Sequence, residues 1–241
     1  MSKFESLNNR TAFITGATGG IGKSIAFGLA EKGCHLFLTD TEQSELTSLC
    51  NELADKYNVK VASCAADLRD LDAVHNVVAE ANNFNETMDI VINSAGIFPN
   101  MELKDSKDKD FQDTFDINFR SAFVFCREFS GNMVKQAWGR MINIGSSSSY
   151  NGFRGTSLYC ASKHAILGFS RSIHDELKQY NVRTYCISPS STQSKMGMAT
   201  KGQDYSTFLD PDDVAEYVIF AMSFDSNIMS EEIFLKRMII R

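Results

Sequence analysis

The sequence predicts an α/β fold: a single-domain, doubly wound parallel sheet of about seven strands with helices on both faces. Three observations carry this. Between Thr11 and Ile187, short β-prone runs alternate with longer segments of helical period, the signature of βαβ units. Several runs are nearly all apolar, such as Ala12-Phe13-Ile14 and Ile90-Val91-Ile92, as expected of strands covered by helices on both faces. No repeat, low-complexity tract or Pro-rich linker divides the 241 residues, so residues 1–241 read as one domain.

Taken in order, the expected strands are Thr11–Thr15, His35–Thr39, Val59–Ala65, Asp89–Asn93, Arg140–Gly145 and Arg183–Ile187, with Glu232–Leu235 closing the chain. A helical pattern over Ser24–Lys32 follows the first strand. A long helix near Phe111–Lys135 carries Phe111, Phe115, Phe119, Phe123, Phe125 and Phe129, more apolar coverage than one buried stripe requires. It reads either as dense core or as a helix shared with a partner subunit. Ile166, Phe169, Ile173 and Leu177 recur at helical spacing in Ser157–Tyr180. After the sixth strand, Ser188–Leu209 is rich in Ser, Thr, Gln and Gly and lies at the carboxyl edge of the sheet, where open α/β folds bind ligands. A substrate lid over about 190–209 is expected, with a plain surface loop as the alternative. Pro211 suits the first position of a last helix beginning at Asp210.

Composition narrows the function. Charged residues make up 22% and hydrophobic ones 43%, ordinary for a globular domain, and the net charge of -6 argues against nucleic acid as a partner. No stretch approaches the roughly 20 apolar residues of a membrane helix. The six cysteines lie far apart without a CxxC pair and read as reduced thiols, which places the chain in the cytoplasm. Cys160 adjoins Tyr159 but points about 100° away around a helix and reads as structural. The four histidines show no metal-ligand spacing, so no metal site is expected, and His174-Asp175-Glu176 reads as a solvated helix face. Trp138 reads as a loop anchor, and the isoleucines of the basic tail 236–241 as packing residues.

Thr15-Gly16-Ala17-Thr18-Gly19-Gly20-Ile21-Gly22 stands between the first strand and the helical pattern. Glycines there let the chain turn sharply and a pyrophosphate approach, while the helix N-terminus offers N–H donors and positive dipole. A P-loop would need GxxxxGK followed by Ser or Thr; Gly22-Lys23-Ser24 supplies its end, but its first glycine falls on Ala17. GxGxxG fails as well, leaving TGxxxGxG. Asp40 ends the second strand 18 residues after Gly22, near the spacing at which an acid bonds the adenosine ribose. A carboxylate there repels a 2′-phosphate, and neither Gly19 nor Thr41 is a base, which favours NAD(H) over NADP(H). The alternative role for Asp40 is a helix cap for the segment starting at Thr41.

Tyr159 and Lys163 sit four apart and share one helix face. An ammonium beside a phenol stabilises the phenolate, so the expected effect is a lowered Tyr159 pKa and acid/base chemistry on a carbonyl or alcohol. Ser146 follows the fifth strand 13 residues before Tyr159, and its hydroxyl is placed to hold a substrate oxygen, although Ser147, Ser148 and Ser149 compete for that role. Asn93-Ser94-Ala95-Gly96 follows the fourth strand, with small residues beside which a cofactor fits.

Through Thr15–Gly22, Asn93–Gly96, Asn118, Ser146, Tyr159 and Lys163, over residues 10–196, the sequence resembles the classical short-chain dehydrogenase/reductase family, whose fold is Rossmann-like. The resemblance implies that Tyr159 donates or accepts the proton, Ser146 positions the substrate oxygen, Lys163 holds the nicotinamide ribose and tunes the tyrosine, and Asn118 anchors a water relay. It places Gly16, Thr18, Gly20, Ile21 and Gly22 at the pyrophosphate, Asp40 at the ribose, Asp67 and Leu68 at the adenine, and Asn93, Ala95 and Gly96 along the cofactor. Pro189 then lies beside the nicotinamide and Ser194 at its amide. Three departures stand out: Ser94 replaces the second Asn of Asn-Asn-Ala-Gly, Ser190 replaces the Gly of Pro-Gly, and the tail lacks a glycine-rich terminus.

The expected function is an NAD(H)-preferring oxidoreductase interconverting a secondary alcohol and a ketone, with a 3-oxoacyl-thioester reductase as the default. A polyol, sugar or steroid dehydrogenase is the alternative, and a catalytically silent cofactor-binding regulator the second class. The expected partners are a small carbonyl or alcohol substrate and further copies of the chain, as a homodimer or homotetramer.

Overall fold

The computed structural model describes residues 4–198, 203–224 and 228–238. Seven strands form one all-parallel sheet: β1 (Thr11–Thr15), β2 (His35–Asp40), β3 (Val61–Ala65), β4 (Ile90–Asn93), β5 (Gly139–Ile144), β6 (Val182–Pro189) and β7 (Glu232–Leu235). Their order is β3-β2-β1-β4-β5-β6-β7, with every neighbouring pair parallel. The helices are α1 (Gly20–Glu31), α2 (Gln43–Tyr57), α3 (Leu71–Phe84), α4 (Asp108–Phe115), α5 (Ser121–Lys135), α6 (Ser157–Leu177), the single turn α7 (Lys195–Met198) and α8 (Pro211–Ser223).

Successive strand residues face opposite sides, so the apolar strands feed two cores. Ala12 and Ile14 of β1 turn to the face covered by α1, α2 and α8, where Ile25, Leu29, Leu46, Leu53 and Val218 are fully buried. Phe13 turns to the other face, under α3 and α5. There it packs within 4.7 Å of the Phe125 ring and 5.0 Å of Phe129. Both faces are dry, which is why the strands read as apolar runs rather than as alternating ones. Among the described residues no helix is long and apolar enough to cross a membrane.

The expected long helix over 111–135 is not one regular helix. It is α4 and α5 joined by a π-helical turn, Asp116–Arg120, which admits one extra residue per turn and swings Asn118 inward. The six phenylalanines split accordingly: Phe125 and Phe129 are core, while Phe111 and Phe123 remain exposed. Other boundaries also move. The third strand begins at Val61 rather than Val59, and the first helix begins within the glycine turn, at Gly20. Asp210 caps α8 by accepting the Asp212 N–H at 2.9 Å, with Pro211 at its first turn as expected.

His174 departs from the solvated reading. Its neighbours Asp175 and Glu176 are exposed, but its own ring is buried against β6, accepting the Thr184 N–H at Nδ1 (3.5 Å). Burial holds its pKa below the usual histidine range. All six cysteines are free, and burial pushes the Cys34 and Cys126 thiols up to about 12. The Cys160 thiol bonds Thr156 and the Asn151 carbonyl, as a structural thiol would. Trp138 is buried with its indole N–H on Glu5, between the guanidinium groups of Arg10 and Arg140. The isoleucines expected to pack in the tail, Ile239 and Ile240, lie outside the described residues.

Phe13→Ala empties the centre of the second core. It is expected to lower unfolding stability by about 3–5 kcal/mol, read as a shifted denaturant midpoint with unchanged slope.

Candidate active site

The sheet order reverses between β1 and β4, which are adjacent although three helices separate them in sequence. The chain leaving β1 turns to one face and the chain leaving β4 to the other, so their carboxyl ends part and leave a crevice. A cleft of about 750 Å³ opens there. Thr15 joins its two lips: its hydroxyl accepts the N–H groups of Ser94 and Ala95, both at 3.1 Å.

The glycine turn forms one lip. Gly16 adopts φ +63°, and a Cβ on it would stand 2.9 Å from the Cα of Ala95. A Cβ on Gly22 would stand 2.1 Å from the Gly16 carbonyl oxygen, so the helix can start this close to the strand only with glycine there. The α1 N-cap, Gly19, brings no capping side chain, and the first turn of α1 holds no acid. That uncapped, positive N-terminus facing a cleft suits the pyrophosphate of a dinucleotide. Gly16, Thr18, Gly20, Ile21 and Gly22 all line the cleft, as do Ala95, Gly96, Pro189 and Ser194. The residues present therefore fit the expected group.

Asp40 also lines the cleft, but its carboxylate is already engaged. Oδ2 accepts the Thr18 N–H (3.0 Å) and hydroxyl (2.7 Å), while Oδ1 accepts the Thr41 N–H (2.8 Å). It caps no helix, since α2 begins at Gln43 with Glu42 in the N-cap position. Asp40 thus fixes the glycine turn onto β2. Asp67 and Leu68 line the far end, where Arg69 grips the Asp67 carboxylate and holds it below the usual carboxylate range.

Two expected residues stand behind the cleft wall rather than in it. Asn93 is buried, donating to Asn143 Oδ1 at 2.8 Å, and Asn143 in turn donates to Ser170 at 2.9 Å. Its position at the strand terminus turns its side chain into the core, and the cleft wall there is formed by Ser94, Ala95 and Gly96. Asn118 is 3% exposed and has its carboxamide satisfied by protein: Oδ1 accepts the Ile97 N–H (2.8 Å), and Nδ2 donates to the Ile97 carbonyl and Ser162 (both 3.0 Å). The π-helical turn aims it at the loop after β4, which it holds in place.

Tyr159 and Lys163 project from the first turns of α6 into the cleft, with the Lys163 nitrogen 5.7 Å from the tyrosine ring centre. Both are buried. The Lys163 ammonium donates to the Ile144 carbonyl at 2.7 Å, at the end of β5. Burial brings its pKa down to about 8. The expected depression of Tyr159 does not follow: burial raises the phenol above its usual range, and a hydrogen bond with Ser146 only partly opposes this. Desolvation penalises each charged form separately, and it is the largest cause of both shifts. Ser146 is set by its own turn, its hydroxyl accepting the Ser148 N–H at 3.1 Å and its N–H donating to Ser149 Oγ at 3.2 Å. Of the four serines, Ser149 serves that turn and does not line the cleft.

Phe98, Asn100, Phe153 and Arg154 complete the wall near Tyr159. The Phe98 ring meets the tyrosine edge-on at 4.7 Å. The loops carrying these residues are tied by the Met101 N–H to the Gly155 carbonyl (2.8 Å) and by Arg154 to Glu102 (2.8 and 3.0 Å). These residues were not singled out in the sequence; their only signal is that they follow strand ends. The 190–209 segment forms the opposite wall, with residues 199–202 outside the described part. Lys195 reaches Glu45 of α2 at 3.2 Å across the cleft mouth, and Arg237 of the tail donates to Gln203 and Thr207, both at 3.0 Å.

With fold and site in hand, the class is a dinucleotide-dependent α/β oxidoreductase. Comparison with known proteins agrees: the model for short chain dehydrogenase matches residues 10–204. A 3-oxoacyl-(acyl-carrier-protein) reductase FabG from Rickettsia bellii is 31% identical over 230 residues, covering 92% of each chain. The structure of a putative NAD(P)-dependent gluconate 5-dehydrogenase from Beutenbergia cavernae with bound NADP superposes with TM-score 0.87 at 26% identity, covering 96% of each chain. L-sorbose reductase from Gluconobacter frateurii, complexed with NADPH and L-sorbose, shares the fold with TM-score 0.88 at 23% identity over 98% of each chain. The chain belongs to the short-chain dehydrogenase family, and as such is an oxidoreductase acting on CH–OH or ketone groups with NAD(P).

Gly16→Ala places a Cβ against Ala95 in a left-handed backbone conformation. It is expected to weaken dinucleotide binding about tenfold or more, measured by nicotinamide fluorescence, with the far-ultraviolet circular dichroism unchanged.

Proposed function

We propose that the chain interconverts a ketone and a secondary alcohol with NAD(H) preferred over NADP(H), working as one domain over residues 1–241 with the 190–209 segment as its lid. The observation that carries this is the desolvated Tyr159 beside Ser146 and Lys163 in the dinucleotide cleft. When bound, the nicotinamide supplies a hydride to the carbonyl carbon. Ser146 and Tyr159 hold the carbonyl oxygen, and Tyr159, kept protonated by burial, gives it the proton. Lys163 offers its ammonium to the ribose and steadies the phenolate that this transfer creates. Asn118 keeps the loop at Ile97 and Gly96 against the cofactor side of the cleft.

The acids Asp40, Glu42 and Glu45 around the ribose end support NAD(H), since the nearby Lys195 and Lys23 are matched by Glu45 and Glu52. The NADP seen in the gluconate 5-dehydrogenase relative pulls the other way. A 3-oxoacyl thioester is the preferred substrate because relatives matched over 92% and 90% of the chain bear that activity in their names. A sugar or polyol is the second reading, favoured by the gluconate 5-dehydrogenase likeness. The exposed aromatic face of Phe111 and Phe123, with Phe119 and Phe123 packed on Phe169 of α6, supports a homodimer or homotetramer. A cytoplasmic setting follows from the free, partly buried thiols.

Tyr159→Phe is expected to keep dinucleotide binding while kcat falls about 100-fold or more, in a steady-state assay with a 3-oxoacyl thioester; near-normal turnover contradicts the mechanism. Lys163, lowered to about 8, carries its charge below that pH and loses it above. The reduction rate should therefore hold through neutral pH and decline as pH rises past about 8. Asp40→Ala should narrow the NADH-over-NADPH ratio in paired titrations, and tighter NADPH binding by the unmodified protein would refute the coenzyme preference.

A further inference from the structure

Three elements meet at one carboxylate outside the cleft. Glu232 opens β7, beside Cys186 of β6 in the sheet register. Its carboxylate accepts both arms of Arg171, which lies on α6 two turns beyond Lys163 (Nη2 to Oε2, 3.0 Å). The same Oε2 accepts the hydroxyl of Tyr150 at 3.2 Å. Tyr150 is the residue that ends the Ser146 turn, and its ring stacks on Phe234 of β7 at 5.2 Å and 14°. Ser188 of β6 lies beside the phenol. Ser188 in turn stands so close to Gly145 that a Cβ there would lie 2.3 Å from its hydroxyl.

We propose that Glu232 is a positioning residue that straps the Ser146 turn to α6 through Tyr150, fixing the distance between the Ser146 hydroxyl and the Tyr159 phenol. Ser146 and Tyr159 come from separate segments, and the strap joins both: Arg171 from the helix that carries Tyr159, Tyr150 from the turn that carries Ser146. The Arg171 side chain is 53% exposed, so the ion pair adds little to stability; its effect is geometric. An error near 1 Å in such a pair costs far more rate than stability. The proposal rests on the reading of Ser146 as the group that holds the carbonyl oxygen.

The test uses the unmodified protein, three single variants and one double variant. Tyr150→Phe removes only the hydroxyl and keeps the ring on Phe234. Expected for it are a fall in kcat on the order of tenfold, unchanged NADH affinity and melting temperature, and faster hydrogen exchange at the Ser148 and Ser149 amides. Glu232→Ala should match it, Glu232→Gln should recover part of the rate because its amide oxygen still accepts from Tyr150, and the Tyr150→Phe/Glu232→Ala pair should be no worse than either alone. Unchanged exchange at the turn, unchanged kcat, or additive losses in the pair would each overturn the strap. If the unmodified protein turned over no ketone while Tyr150→Phe still loosened the turn, the strap would stand and the reading of Ser146 would fall instead.

Discussion

Everything in the site follows from the parting of two adjacent parallel strands. β1 and β4 share a ladder from Ala12–Ile90 to Thr15–Asn93, and beyond it their chains leave for opposite faces. The crevice is a consequence of strand order, and no side chain has to hold it open. It needs only small residues where the lips come close, supplied by Gly16, Gly22, Ala95 and Gly96, and a polar clasp, supplied by Thr15. The crevice buries Tyr159 and Lys163, and this desolvation shifts both pKa values.

That desolvation changes how the pair works. A lysine beside a tyrosine in water would favour phenolate. In the crevice, the amine gains one strong acceptor, the Ile144 carbonyl, and the phenol one partner, Ser146, while both lose water. Burial raises the phenol above its usual range and brings the Lys163 amine down to about 8. A neutral phenol is a proton donor, which is the protonation state that carbonyl reduction requires. In the proposed reduction, Tyr159 would become charged only on giving up its proton, with the Lys163 ammonium beside it.

Much of this was legible in the sequence. The seven strands, the glycine turn and the Tyr159–Lys163 helix face were readable because apolar runs, glycine spacing and the four-residue interval are local signals. The fate of Asn93 and Asn118 was not. Motif position put Asn93 along the cofactor and made Asn118 the anchor of a water relay; Asn93 faces a core network with Asn143 and Ser170, and Asn118 is turned inward by a π-helical residue that no periodicity announces. The proximity of Lys163 to Tyr159 is visible in sequence, whereas the burial that raises the phenol is not. The substrate wall, built from loops tied by Met101–Gly155 and Arg154–Glu102, depends on contacts between segments about 50 residues apart, and composition carries no trace of them.

The most direct test of the desolvated donor is a pH titration of Tyr159 itself, following ring-carbon shifts in protein carrying 13C-labelled tyrosine, assigned with Tyr159→Phe. A phenol that stays protonated beyond the ordinary value near 10 is the predicted result. A Tyr159 already ionised at neutral pH would contradict the account, because attraction to Lys163 would then outweigh burial.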